Sequence, residues 1–372
     1  MKYYIIAGEP SGDLHGSNLM KAIKTIDNDS KFAFWGGDHM LNVDKGIITH
    51  IRETSIMGFV EVAKNISKIK AFFKKAKQTI SDFDPDLLVL IDYPGFNLRM
   101  AKWAKEKGYK VVYYISPQLW AWKKGRIKTV KKYVDEMIVI LPFELDFYRK
   151  NGVNVHFIGH PLVPVIQSFK GSFDSLENGS DEKNILAILP GSRKQEIKKL
   201  LPELVDAADH FLDQYQLCIA MAPNIEQSFY LDLIESKKDR IRLVENDTYG
   251  LLSQADIALV TSGTATLETA LFGVPQVVCY KTSFLNYEIG KRLVDLEYIS
   301  LVNLIAGKKI VPELIQNEVN NKQLIETIKE VLKNSDIIKK EYQELKELLS
   351  TESSPSEKAA EIITNVSLSN RE

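Results

Sequence analysis

The sequence predicts an α/β protein made of two doubly wound domains, each on a parallel sheet. Short apolar runs alternate with amphipathic helical stretches through the first 151 residues, and the alternation restarts near residue 184 after a polar segment. Several of these runs also break at their C-terminal ends into small, polar turns that open helices, where open α/β sheets bind ligands. Strands are expected at 3–7, 32–35, 87–91, 111–115 and 137–141, with helices at 14–26, 60–81, 97–107 and 143–151. Alternation at this spacing implies parallel pairing through right-handed crossovers. Segment 166–183 carries Gly171, Ser172, Gly179 and Ser180 without apolar periodicity and reads as a linker. Strands then follow at 185–189, 217–221, 241–244, 256–260 and 276–280, before a tail rich in Glu and Lys that Pro355 interrupts. The expected domains are 1–165 and 184–330, with the helical tail 331–372 packing on the first domain or on the partner of a homodimer. Two such domains are expected to face a central cleft holding two substrates.

A chain of 372 residues can bury two cores, and 45% hydrophobic against 26% charged residues excludes disorder. Cys218 and Cys279 lie in apolar runs, which suits buried thiols in a reducing compartment. No apolar run approaches a membrane span and no signal peptide is visible, so a cytoplasmic protein is expected. Residues 1–165 hold 25 Lys and Arg against 17 Asp and Glu, a balance of +8, while 166–372 hold 23 against 32, a balance of −9. A basic front half attracts phosphate or anionic lipid. Nucleic acid is not an expected partner, because no recognised module is present. The six histidines show no metal-ligand spacing, so neither a metal nor a cofactor is expected.

The chemistry is expected at the turns. Gly8-Glu9-Pro10-Ser11-Gly12-Asp13-Leu14-His15-Gly16 follows the first strand, and glycine permits a sharp turn and close approach to the main chain. Unpaired N–H groups at the following helix start suit an anionic or hydroxyl-rich ligand. The spacing is not the dinucleotide fingerprint G-x-G-x-x-G, and no G-K-[ST] P-loop occurs. Asp92 follows the strand 87–91 and is placed to act as a general base, with Glu9 and Asp13 as alternative carboxylates. In the second half, Gly191, Ser192 and Arg193 form a turn whose guanidinium fork can grip phosphate oxygens. Ser262, Gly263, Thr264, Ala265 and Thr266 form another, a polar cradle for a diphosphate, with Glu268 one turn on as an acceptor for a ribose diol. His15 and His160 also fall at strand-end turns.

Residues 57–80 set Val62, Ile66, Ile69, Phe73 and Ile80 on one helical face, with six lysines against the single Glu61. Apolar rings beside lysines are what a protein resting on an anionic leaflet presents, so Met57, Phe59, Lys68, Phe72, Phe73 and Lys75 are expected membrane contacts.

In order along the chain, the motifs Gly8-Glu9-Pro10-Ser11-Gly12-Asp13, Met57-Gly58-Phe59-Val60-Glu61-Val62, Asp92-Tyr93-Pro94-Gly95-Phe96-Asn97, Trp120-Ala121-Trp122, Leu189-Pro190-Gly191-Ser192-Arg193, Ser262–Glu268 and Ser300–Gly307 strongly resemble the lipid-A-disaccharide synthases over roughly residues 1–320. Pro10 stands where that family often has alanine. The resemblance implies a glycosyltransferase of GT-B architecture, two Rossmann-like domains with the nucleotide sugar held mainly by the second. It implies UDP-2,3-diacylglucosamine and 2,3-diacylglucosamine 1-phosphate (lipid X) as substrates, a β(1→6) disaccharide and UDP as products, and peripheral association with the cytoplasmic face of the inner membrane. Inversion of an α-linked donor implies one displacement assisted by one base. Asp92 matches the family's proposed base. Glu9, Ser11, Gly12, His15, Asn97, Trp120 and Asn303 become substrate-site residues. Gly191, Ser192, Arg193, Ser262 to Thr266 and Glu268 become the nucleotide site. Competing readings are another GT-B transferase acting on undecaprenyl-linked muramyl substrates, a UDP-N-acetylglucosamine epimerase, and a nucleotide-sugar-binding module without turnover.

Overall fold

The structure, a computed structural model, describes residues 1–54, 66–121, 124–171, 184–282, 287 and 297–368. The chain divides into two compact units, Met1–Pro161 with Leu349–Glu372, and Leu162–Leu348.

The first unit carries seven strands, β1 (Lys2–Ala7), β2 (Lys31–Gly36), β3 (Ile47–His50), β4 (Leu87–Ile91), β5 (Val111–Tyr114), β6 (Glu136–Val139) and β7 (Val155–Phe157), in the order β3-β2-β1-β4-β5-β6-β7. All pairings among the described residues are parallel. The order reverses between β1 and β4, which places Ala7 opposite Ile91 and brings the turns after both strands together. Successive side chains on a strand point to opposite faces. Tyr3, Ile5, Leu87 and Val89 therefore join the core under the helix Pro10–Ile26, while Tyr4, Ile6, Leu88 and Leu90 join the opposite core with Trp35 and Ile80.

The second unit repeats the scheme with β8 (Asn184–Leu189), β9 (Tyr215–Ala220), β10 (Ile241–Val244), β11 (Ile257–Thr261), β12 (Gln276–Tyr280) and β13 (Glu313–Ile315), ordered β10-β9-β8-β11-β12-β13. Its reversal lies between β8 and β11, where Leu189 pairs with Val260. Cys218 and Cys279 are free and buried, and the apolar surroundings push both thiols up, Cys218 to about 11 and Cys279 to about 12. No helix among the described residues is long and apolar enough to cross a membrane.

The structure departs from the sequence expectation at β3, β7 and β13. Each is an edge strand of three or four residues with a half-buried face, so none presents an apolar run. The expected boundary at residue 165 falls at Pro161 instead, because the helix Leu162–Gln167 contacts the helix Thr264–Leu271 of the second unit. The tail, interrupted before Pro355, divides between the two units. The helix Ser335–Leu349 buries Tyr342, whose hydroxyl accepts from Gln276 Nε2 on β12 at 3.2 Å. The helix Pro355–Leu368 returns to the first unit, where Ala359, Ala360 and Ile363 pack with Leu19, Met20 and Ile23. His160 N donates to Leu349 O at 2.8 Å and Thr351 Oγ1 donates to Ile158 O at 3.0 Å, securing the return.

Candidate active site

In the first unit the two turns at the sheet reversal close on each other. A Cβ at Gly8 would lie 2.4 Å from the Tyr93 ring, so only glycine admits the ring there. Asp92 and Tyr93 both hold left-handed backbone, φ 42° and 49°, which costs energy for residues other than glycine and clusters at functional sites. The conformation is held from several sides. Asp92 N donates to Tyr114 O at 3.1 Å, while Asp92 O accepts from Tyr113 Oη at 2.5 Å and Asn97 Nδ2 at 2.8 Å. Burial, reinforced by the charge of Glu9, raises the Asp92 carboxyl to about 6, against a hydrogen bond from the Tyr93 backbone that favours the ionised form. A half-buried carboxylate that titrates near neutrality is matched to a general base.

Its neighbours divide into groups that face solvent and groups consumed by the scaffold. Glu9 and Ser11 are exposed at the start of the helix Pro10–Ile26. His15 is half-buried, and burial lowers it to about 4; His160 is lowered to about 3 by burial and by His15, so both rings are neutral near pH 7. Asp13 is not available as a base. Its Oδ1 accepts from Gly37 N and Met40 N at 2.6 and 3.0 Å, and Oδ2 from His39 N at 3.0 Å, which fixes the turn after β2. Gly12 is buried, with space for a Cβ only 3.3 Å from Ala7 Cβ, and serves helix-on-sheet packing. Asn97, expected at a substrate, is fully buried, and its Nδ2 also donates to Ile91 O at 3.0 Å; it shapes the turn that presents Asp92. Trp120 is half-buried, and its Nε1 donates to Glu144 Oε1 at 3.1 Å.

The second unit holds a pocket of about 460 Å³ at its own sheet reversal, lined by Leu189–Arg193, Glu196, Ala220–Pro223, Thr248, Thr261–Ala265 and Glu268. The expected nucleotide residues thus converge, except Thr266. That side chain is fully buried, and its Oγ1 donates to Gly263 O at 2.8 Å within the helix start. Gly191 adopts φ 111°, a left-handed turn that favours glycine. Arg193 is exposed and Nη1 donates to Glu196 Oε1 at 2.7 Å. Glu268 is raised by burial, and its Oε1 accepts from Tyr249 Oη at 2.9 Å. Asn303 is fully buried and does not reach the pocket lining. Its Nδ2 donates to Val311 O and Glu313 Oε1, each at 2.9 Å, while Oδ1 accepts from Ile310 N and Val311 N. Glu313 in turn accepts from Ile299 N and Ser300 N, and Ser262 Oγ donates to Ile299 O at 2.8 Å. Asn303 is therefore linked to Ser262 in the pocket lining through Glu313 and Ile299.

The expected membrane residues also divide. Phe72 stands edge-on to Trp35 at 5.9 Å and Phe73 stacks on Phe96 at 4.3 Å, so both rings serve the core. Lys68 is exposed, and Lys75 lies 3.8 Å from Glu53. Met57 and Phe59 lie outside the described residues. Among the described residues, no group of three or more His, Cys, Asp or Glu is placed to hold a metal ion. Sequence reasoning missed Glu144, Glu196, Tyr249 and Glu313, because each is polar within an ordinary amphipathic or edge pattern.

A family model described as Lipid-A-disaccharide synthetase matches residues 3–366. The lipid-A-disaccharide synthase of Syntrophus aciditrophicus is 40% identical over 350 residues, covering 92% of this chain and 91% of that protein. Among solved structures, a glycosyltransferase of kitacinnamycin superposes with a TM-score of 0.67 at 11% identity, covering 98% of each chain. A putative UDP-N-acetylglucosamine 2-epimerase from Listeria monocytogenes superposes with a TM-score of 0.62 at 14% identity, covering 98% of this chain and 94% of that one. At such identities the structural likeness carries the GT-B fold alone.

Proposed function

This chain belongs to the lipid-A-disaccharide synthetase family, a glycosyltransferase family of lipid A biosynthesis, and we propose from this that it joins UDP-2,3-diacylglucosamine to 2,3-diacylglucosamine 1-phosphate with Asp92 as general base. The Asp92 carboxylate takes the proton from the acceptor 6-hydroxyl while that oxygen attacks C1 of the donor sugar. The C1–O bond to the β-phosphate breaks, its electron pair leaves with UDP, and the α-linked donor becomes a β(1→6) disaccharide. Ser192, the turn Ser262–Ala265 and the Arg193 guanidinium answer the charge that develops on the diphosphate. Glu268 meets the ribose. The observation that carries the reading is Asp92 itself, a carboxyl near 6 on a doubly left-handed turn at the sheet reversal.

The test incubates purified protein with both lipids in the presence of chelator and follows disaccharide and UDP by mass spectrometry. Equal amounts of the two products are expected. UDP without disaccharide would favour hydrolysis, as in an epimerase-like reaction, and UDP binding without turnover would favour a binding module.

Access to acylated substrates implies residence at the cytoplasmic leaflet. Lys68, Lys70 and Lys74 are exposed on the helix Ile66–Phe83, which supports an electrostatic contact there rather than insertion of Phe72 or Phe73.

A further inference from the structure

Glu144 is a buried acid that the reaction above does not use. It is 2% exposed, third in the helix Pro142–Lys150, at the end of the first unit where the strands deliver their C-terminal turns. An acid taken out of water is costly unless donors replace the lost hydration. Neutral donors do so from two directions. Glu144 Oε2 accepts from Leu141 N at 3.2 Å, the backbone cap of its own helix. Glu144 Oε1 accepts from Ser116 Oγ at 2.5 Å and from Trp120 Nε1 at 3.1 Å, both on the loop that leaves β5. A helix cap needs only the first of these bonds.

The clamped loop adjoins the base. Tyr114 at the end of β5 pairs with Ile91, its carbonyl accepts from Asp92 N, and the Tyr113 hydroxyl donates to Asp92 O. Immediately afterwards Ile115 is held at φ 63°, a conformation a β-branched residue adopts only under constraint. A second bond from the same helix, Tyr148 Oη to Pro117 O at 3.3 Å, holds the loop at its middle. The indole of Trp120 stands edge-on to Phe143 at 4.8 Å, one residue before Glu144. Loop strain, clamp and base therefore lie on one chain of contacts.

We propose that Glu144 is a positioning residue that locks the 115–121 loop beside Asp92, with the Trp120 indole fixed as a wall for the acylated acceptor. The assignment rests on the reading of this site as the acceptor side of a glycosyl transfer.

The test compares wild type with Glu144→Leu, Glu144→Gln and Trp120→Phe in the full chain. Glu144→Leu removes every acceptor of the clamp and should raise the acceptor KM about tenfold, with donor KM and kcat within about twofold. Glu144→Gln keeps an amide oxygen for Ser116 Oγ and Trp120 Nε1 and loses the bond from Leu141 N, so its acceptor KM should stay within about twofold. Trp120→Phe, which keeps a ring and removes the indole donor, should give part of the change seen in Glu144→Leu. Trp120→Phe added to Glu144→Leu should make it no worse, since the two act as one unit. Tryptic cleavage at Lys124 and Arg126 should accelerate about tenfold in Glu144→Leu and stay near wild type in Glu144→Gln. Unchanged acceptor KM with unchanged cleavage in Glu144→Leu would overturn the assignment and leave Glu144 as a helix cap. Parallel increases in donor and acceptor KM with a lower Tm would overturn it as well. A wild-type protein that makes no disaccharide would refute the acceptor reading, and the cleavage rate would then decide the clamp alone.

Discussion

Asp92, half-buried on a left-handed turn, sets its proposed role as base against stability. Its carboxyl is raised from 3.8 to about 6 in the folded chain, so its protonated form is the one folding favours. The stabilisation is fully present below pH 3.8 and is lost as pH rises through about 6. At pH 7.5 the ionised group opposes folding. Asp92→Asn keeps a residue tolerant of left-handed backbone and removes that charge. It is expected to raise Tm by a few degrees, to lower turnover about 10²- to 10⁴-fold, and to leave UDP affinity unchanged. Loss of UDP binding instead would make Asp92 structural. The proposed role as base requires the unprotonated form, so kcat/KM should fall below about pH 6 with one-proton slope. Glu9→Gln removes the second contribution to that shift, and the acid limb should move to lower pH. The Asp92 turn was legible because a lone acid ended an apolar run before Pro94 and Gly95. The partners of Asp13 and Glu144 were not, since Gly37 and Ser116 lie 24 and 28 residues away and nothing local marks them.

Elements were legible where burial on both faces writes a continuous apolar run, as in Leu87–Ile91 and Ile257–Val260. They were obscure where a strand sits at an edge, as in Val155–Phe157, or where a ring reads equally as core and as surface. Phe72 and Phe73 belong to the second case, because a helical stripe does not tell an aromatic pocket from a lipid face. The helix Pro355–Leu368 offers a direct check of element packing. Ile363 is fully buried in the core shared with the helix Pro10–Ile26. Ile363→Ala should cost about 2–5 kcal/mol. Hydrogen exchange should quicken in the helices 10–26 and 355–368 while β8 to β12 keep their protection. Equal loosening of both units would contradict the division.

At the scale of the whole molecule, the balance of charge follows the two sheets. The helix Ile66–Phe83 concentrates exposed lysines in the basic part of the sequence. Each such charge near an anionic surface contributes about 1 kcal/mol. Lys68→Gln with Lys74→Gln should therefore weaken binding to phosphatidylglycerol vesicles about thirtyfold at low salt, with a smaller difference at high salt. Equal vesicle binding by variant and wild type would remove the helix from the interface.

The return of the chain to its first unit also orders its birth on the ribosome. Domains generally fold as they emerge, N-terminal first. Here the first sheet is synthesised early, but the helix that covers Leu19, Met20 and Ile23 emerges only after the whole of Leu162–Leu348. At ordinary elongation rates that interval is roughly 10–40 s. During it the helix Pro10–Ile26 of the nascent first unit shows an apolar face, and the second unit is the one that can complete itself. Trigger-type chaperones that shelter such faces would find their binding site in the older part of the chain.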